Sequence, residues 1–406
     1  MTRKRTALLC AAALLLSSTP LLAGTAGSAD AAGRRGSDCV ASPAAAHGKA
    51  RVIEDTVRKS RRELKLRAVV ARVTENGRDL WTGAVGTSMT SVPARPDMRF
   101  RAGSVGISYM GTILLQLADE HRISLDDPIS RWLPWVPHAR EITLRMLGNT
   151  TSGFQDYVKN PDFQKALLAH PFKHWTPAEL LGYANPETLL YKPGTNISYS
   201  HANFLLLGEA LQRITHTRLD HLLEQRIYRP LGLHATSNSY TPDIPTPVLH
   251  AFTTARGTYE ESTFWNPSWT TAPGAVITQD ICDLARSGEG IGAGQTLTRQ
   301  GYRTLLDPGT VGLGEKTPQC PLCFPQTRAA HFGMSVIVVN GWIIQNPSFL
   351  GYAAIMAYLP SRHLSIAVSA TDTPDTSTAV TNLATNVAED ISQRLVPNNP
   401  LTLGPF

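Results

Sequence analysis

What the chain lacks narrows it first. Past the N-terminal leader no apolar run approaches the ~20 residues that a membrane-spanning helix needs, so no span is expected. Aromatic residues are only 7 % of the chain, and none interleaves with basic residues as in a nucleic-acid reader, so no nucleic-acid partner is expected. Strong charge is missing too: the net +6 falls by about two once the leader is set aside. Much of the remaining basic density, Arg58-Lys59, Arg61-Arg62, Lys65 and Arg67, alternates with Val52, Ile53, Val57, Leu64 and Leu66, as on the solvated face of a surface helix. Cysteine is scarce, with five in 406 residues. Cys10 falls in the leader; Cys39, Cys282, Cys320 and Cys323 form an even set that permits one or two disulfides, local or long-range. Cys320-Pro321-Leu322-Cys323 has the two-residue gap of redox and zinc motifs. It sits in a proline-flanked loop with no helix start to lower a thiol pKa, and no second pair completes a zinc site. No metal and no cofactor are expected.

What is present begins with Arg3-Lys4-Arg5, an apolar run from Ala7 to Leu16, and small residues near Ala23 and Ala31. This is the pattern of a signal peptide over residues 1–31, and it predicts a secreted protein. Residues 32–49, rich in Ala, Gly and Ser, read as a flexible leader. The domain proper is expected over 50–400. It starts with a helix over roughly 50–65, followed by strands Ala68–Val73 and Leu80–Val85 around the hairpin signal Asn76-Gly77. From about 105 to 265 strand signals vanish and helices dominate, including Ala202–Arg213. Ala275–Arg286 reads as a further helix. Strands return as an antiparallel meander over Phe332–Val339, Trp342–Gln345, Gly351–Leu359 and Leu364–Ala370, with a second turn at Asn340-Gly341. A closing helix is expected from Ser377 to Leu395. Runs of strands and helices, rather than strict alternation, predict an α+β fold with an antiparallel sheet flanked by helices. Its α/β part comes from about 50–104 and 266–398, and its helical part from 105–265.

The centre of the pattern is Phe100-Arg101-Ala102-Gly103-Ser104-Val105-Gly106-Ile107. Ser104 opens a helix whose apolar stripe runs Ile107, Met110, Ile113 or Leu114, and Leu117. At that position a serine is either an ordinary N-cap or a nucleophile facing the positive end of a helix dipole. The stretch is also one residue from the G-x-S-x-G elbow of α/β-hydrolases, but no apolar strand is evident before it, as Arg99 and Phe100-Arg101 precede.

Around Ser104 the chain continues with Leu125-Asp126-Asp127-Pro128, Trp132-Leu133-Pro134, Ile142-Thr143-Leu144-Arg145 and Thr151-Ser152-Gly153. Further on come Pro193-Gly194-Thr195, Tyr199-Ser200, Leu205-Leu206-Leu207-Gly208 and Arg229-Pro230-Leu231-Gly232. This text resembles the serine β-lactamase-related family: class C β-lactamases, DD-carboxypeptidases and kindred esterases. The resemblance implies a β-lactamase/transpeptidase-like fold with the active site in the cleft between its two parts. It also implies three chemical motifs, and each is altered here. The serine is Ser104, but the lysine three residues on is Ile107, and no serine in the chain has a lysine at that spacing. The tyrosine is Tyr199, but the asparagine two residues later is His201. The Lys/His-Thr-Gly strand motif, counted back from Gly351-Tyr352, is Gln345-Asn346-Pro347, which removes the cation that would anchor a carboxylate. Ser348 remains able to supply an oxyanion N–H.

The expectation is therefore a secreted relative whose usual Ser/Lys acyl-transfer machinery is lost. General-base help is worth about 10²–10⁴ in rate, so ordinary β-lactamase or DD-peptidase activity is not expected. Two readings stand. In one, Ser104, Tyr199 and His201 form a repurposed ester or amide hydrolase, with Ile107, Gln345, Asn346 and Ser348 lining the substrate site. In the other, the cleft binds a cell-wall peptide, an acyl compound or a protein partner without turnover, and His201 is a hydrogen-bonded space filler. The stretch Pro308–Arg328 has no purpose legible in its sequence.

Overall fold

The computed structural model describes residues 39–43, 47–376 and 382–404; the expected signal peptide lies outside them. Two Asn-Gly pairs turn the sheet where they were predicted to. Asn76 and Gly77 have φ of 53° and 71°, and Asn340 and Gly341 have 48° and 82°. Both central residues of each turn are thus left-handed, the geometry that matches the twist of a two-residue hairpin. Between these turns runs an antiparallel sheet in the order Val92–Pro93, Arg78–Met89, Leu66–Glu75, Leu364–Asp372, Tyr352–Leu359, Trp342–Gln345, Ile337–Val339, Ala330–Phe332. The short strand Ser348–Phe349 pairs with Tyr352–Leu359 off this path. First and last thirds of the chain therefore meet in one sheet, through the pairing of Leu66–Glu75 with Leu364–Asp372.

Tyr352–Leu359 is buried at every position, so both of its faces are covered. The helices Gly48–Glu63 and Leu383–Leu395 pack on each other and on the sheet, and Ile281–Gly292 packs on the same central strands. The helix Val105–Asp119 lies among Ile281–Gly292, His201–Thr215 and Arg299–Leu306. It is apolar nearly all round, as a central helix must be. Its buried polar groups are matched: the Tyr109 hydroxyl lies 2.6 Å from Ser287 Oγ and 3.2 Å from Gln279 Oε1.

Several expectations are corrected. Among the described residues four strands, not two, precede Ser104, the last being Phe100–Gly103. Ala275–Arg286 is not one helix: Ile277–Gln279 is a strand paired with Phe100–Gly103, and the helix starts at Ile281. The reason is Asp280, whose side chain accepts from Asp283 N and caps the helix there, leaving the preceding residues free to pair. The helical part holds three two-residue strands, at Ser237–Asn238, Phe252–Thr253 and Glu260–Glu261. The closing helix begins at Leu383 on an Asn382 cap; residues 377–381 lie outside the described ones. The described part of the leader is tied down: Cys39 is bonded to Cys282, and Ser42 N donates to Thr82 O at 2.7 Å. Cys320 and Cys323 form the second, local disulfide.

Candidate active site

Ser104 is placed by a short buried strand that runs directly into a helix. Phe100–Gly103 is buried throughout and hydrogen-bonded to Ile277–Gln279, so a strand does lead into the serine. That strand belongs to a three-stranded antiparallel sheet rather than to the parallel sheet of an elbow. Two glycines permit the geometry. Gly103 turns the chain at φ 40°, and a side chain on Gly106 would meet Ala275 O at 2.4 Å, so the first turn of the helix lies against that backbone.

Ser104 occupies the N-cap position but does not cap: its side chain makes no hydrogen bond to the helix backbone. The Tyr199 hydroxyl is its polar neighbour in the cleft. Burial, with the Asp156 carboxylate nearby, raises the pKa of Tyr199 far above that of an ordinary phenol, and the neighbouring Ser104 side chain offsets this only in part. Tyr199 is thus a neutral phenol at physiological pH.

Two residues on, His201 starts the helix His201–Thr215, with Ser200 as its N-cap accepting from Ala202 N. His201 Nδ1 lies 2.9 Å from Asp156 Oδ1, and the same oxygen accepts from His201 N and Val158 N, each at 3.2 Å. Burial pushes the Asp156 carboxyl up, but the imidazole beside it and these hydrogen bonds outweigh that and hold it below the usual carboxylate range. An ionised acceptor requires Nδ1 to carry the proton, which leaves Nε2 as the basic nitrogen. The imidazole is wedged between Tyr199 and Tyr157, with ring centroids 5.1 and 5.7 Å away. Tyr157 is fixed in turn by its hydroxyl, which donates to Trp269 O at 2.8 Å.

Facing these residues is the chain around Gln345–Ser348. Pro347 Cβ lies 3.0 Å from where a Gly103 side chain would start, so this edge abuts the serine turn. Gln345 is buried, and its amide donates to Ser335 O at 2.6 Å. The Asn382 amide donates to Asn346 O and Pro347 O, both at 2.8 Å, and to Ala354 O at 2.9 Å. Scaffold bonds thus fix the Gln345 side chain and the backbone carbonyls of Asn346 and Pro347.

Ser104, Tyr199, His201, Gln345, Asn346 and Ser348 all line one cavity of about 310 Å³, with Thr150, Ile197, Ser198, Phe324, Gln326, Phe332, Ile337 and Pro347. No Lys, Arg, Asp or Glu is among them. Ile107 is not among them either: it is fully buried in the core, which corrects its expected contact with substrate. The physical reason is that the apolar side chain gains more from the helix interior than from a polar cleft. The Pro308–Arg328 stretch supplies Phe324 and Gln326. Its two limbs pair through Gly312 N to Gln326 O (2.9 Å) and Gln326 N to Leu313 O (2.8 Å), and Asn196 bonds both Gly314 N and Glu315 O. It is a cavity wall.

Sequence reasoning missed Asp156, Thr150 and Asn382. Asp156 lies 45 residues before His201, and no local pattern links them.

Comparison with known proteins agrees with this architecture. The sequence model of the Beta-lactamase family matches residues 53–389, and the chain belongs to that family. A D-stereospecific amidohydrolase from Streptomyces sp. is 26 % identical, with a TM-score of 0.66 over 78 % of this chain and 94 % of that one. The D-amino acid amidase of Ochrobactrum anthropi SV3, complexed with L-phenylalanine amide, is 19 % identical, with a TM-score of 0.70 over 85 % and 99 %. Teichoic acid D-alanine hydrolase of Staphylococcus aureus is 26 % identical over 142 residues, 35 % of this chain and 33 % of that protein. The match thus spans about a third of the curated relative.

Proposed function

We propose that this member of the Beta-lactamase family is a secreted serine acyl hydrolase for neutral esters or amides, working through Ser104, Tyr199, His201 and Asp156. The observation that carries the reading is one cavity that brings Ser104, Tyr199 and His201 together, with Ser104 left uncapped and Nδ1 of the imidazole on the buried Asp156 carboxylate. An unengaged structural serine at a helix start would cap.

In this reading Ser104 Oγ attacks the acyl carbon. Its proton passes to the Tyr199 oxygen as the Tyr199 proton passes to His201 Nε2, so the high-pKa phenol never has to ionise alone. Asp156 holds the imidazole in the competent tautomer and stabilises the imidazolium, the role of the carboxylate in a Ser-His-Asp arrangement. The N–H groups of Ser104 and Ser348 receive the oxyanion. The leaving alcohol or amine takes the proton back, and water repeats the sequence to release the acid. The usual lysine-dependent reaction is lost, because Ile107 neither accepts nor relays a proton.

Neutral substrates follow from a cavity with no charged side chain, since a buried carboxylate or ammonium would go unpaired. Phe324, Phe332, Ile197 and Ile337 favour an apolar acyl group. The words amidohydrolase, amidase and hydrolase in the names of the neighbours support acyl hydrolysis as the reaction class. Secretion is supported by the two disulfides and the leader pattern.

One observation favours a second reading, a binding protein without turnover: among the described residues no amine or imidazole hydrogen-bonds Ser104 directly. Intact-mass analysis after exposure to a fluorophosphonate separates the two. A single adduct on wild type and none on Ser104→Ala supports the hydrolase; no adduct on either supports the binding protein.

A further inference from the structure

The two disulfides differ in kind. Cys39–Cys282 joins residues 243 apart in sequence, and Cys320–Cys323 joins residues 3 apart. A bridge stabilises a fold mainly by shrinking the unfolded ensemble, and that effect grows with the length of the closed loop. The short bridge therefore contributes the smaller share to overall stability, and its consequence is local. Thr317 N donates to Cys320 O at 3.3 Å, Cys320 N to Thr317 O at 3.1 Å, and Cys323 N to Cys320 O at 3.2 Å. These bonds stay within residues 317–323 and shape a compact turn there. Pro318, Pro321 and Pro325 stiffen the same stretch. Cys320 and Cys323 are buried while Leu322 is 63 % exposed, so the bridge faces inward.

Phe324 follows this turn directly and lines the cavity with Gln326. From there on the wall is anchored. The Gln326 amide donates to Phe324 O at 3.0 Å, and its Oε1 accepts from Phe332 N at 2.7 Å. On the other limb Asn196 holds Gly314 N and Glu315 O, next to the cavity residues Ile197 and Ser198. A side chain on Gly314 would collide with Phe324 O, so the two limbs touch there. Phe324 thus sits between an anchored limb and a turn whose form depends on the bridge. The cavity, about 310 Å³, is near the small end of the ~300–1,000 Å³ usual for small-molecule sites, so a wall residue of phenyl size decides how long a substrate fits.

We propose that the Cys320–Cys323 bridge is a specificity-determining element. By fixing the chain that enters Phe324 it sets the length of substrate the cavity admits, and restricts it to short neutral esters or amides. This rests on the acyl-hydrolase reading and adds a size limit to it. Cys320 and Cys323 act through Phe324 and are positioning residues; Phe324 makes the contact.

The test lengthens the substrate at either end. One series is p-nitrophenyl acetate, butanoate and octanoate; the other is methyl, butyl and octyl acetate. The quantity read in each is the ratio of kcat/KM for the longest member to that for the shortest. In Cys320→Ser/Cys323→Ser the ratio is expected to rise about tenfold in the series whose growing end meets Phe324, the lower bound of what a pocket gains or loses on one methylene. Phe324→Ala raises the same ratio with the bridge intact. The combined variant rises no further than the larger of the two, because both changes act through one contact. Tm falls less than in Cys39→Ser/Cys282→Ser. Ratios unmoved in both series overturn the proposal, and so does full additivity of the bridge and Phe324 effects. A bridge variant that fails to fold, or whose Tm falls as far as that of Cys39→Ser/Cys282→Ser, marks a purely structural bridge and also overturns it. A wild type that hydrolyses no ester of either series overturns the acyl-hydrolase reading itself, and this inference with it. A wild type that hydrolyses them, with ratios that no variant moves, overturns only the role of the bridge.

Discussion

The two walls of the cavity spend their polar groups differently. On the wall built from Ser104, Tyr199, His201 and Thr150, the side chains make few bonds to the scaffold. Ser104 leaves its helix uncapped, His201 bonds with Asp156, and Thr150 Oγ1 has no partner. On the wall built from Gln345 to Ser348, polar groups hold the scaffold, with Gln345 on Ser335 O and Asn382 spanning Asn346, Pro347 and Ala354. The proposed chemistry draws its side chains from the first wall and a backbone N–H from the second.

This contrast is open to direct attack. The largest expected effect is complete loss of fluorophosphonate labelling in Ser104→Ala, read by intact mass; an adduct that persists would move the nucleophile elsewhere. Next, His201→Ala and Asp156→Asn should each slow labelling by about 10²–10⁴-fold, the usual worth of a general base. Stopped-time mass spectra measure this, and labelling at the wild-type rate in both variants would reduce His201 to a space filler. On the opposite wall, Asn382→Ala removes three hydrogen bonds and a helix cap. It should cost about 2–3 kcal/mol of stability by denaturant unfolding, with labelling by the folded protein changed far less than in the first-wall variants. A labelling defect as large as that of His201→Ala would erase the distinction between the walls.

The smallest effect is one of pH. The Asp156 carboxyl is held below its usual range in the folded protein. Its contribution to stability is therefore present above about pH 4, the range of an unfolded carboxyl, and is lost as pH falls through the lower folded value. Unfolding curves of wild type and Asp156→Asn should differ at neutral pH and converge in acid. A gap that widens toward low pH would mean that the carboxyl is not the charged partner of His201.

Much of the frame was legible before any coordinates. Asn76-Gly77 and Asn340-Gly341 announce their hairpins because a two-residue turn with both residues left-handed admits few alternatives. The long strands, the helix after Ser104 and that after Ser200 follow from apolar period and caps. What stayed hidden was short or distant. Phe100–Gly103 is a four-residue strand with an arginine in it, too brief for a period to emerge. Ile277–Gln279 ran on into a helical pattern until Asp280 was seen to cap it. Ile107 was expected at the cleft on the strength of its place in a motif, and packing put it in the core.

The sequence by itself determined the fold class, the two hairpin turns, the identity of Ser104, Tyr199 and His201 as a group, and the absence of a cation from the Gln345-Asn346-Pro347 edge. These depend on residue type and near neighbours. Only the tertiary structure decided that Ser104 leaves its helix uncapped and shares a cavity with Tyr199, that Asp156 stands behind His201, that Thr150 is left-handed with its hydroxyl unmatched, and that the Cys320–Cys323 loop forms a wall. Each of those depends on which distant segments share a hydrogen bond, and spacing along the chain carries no record of that.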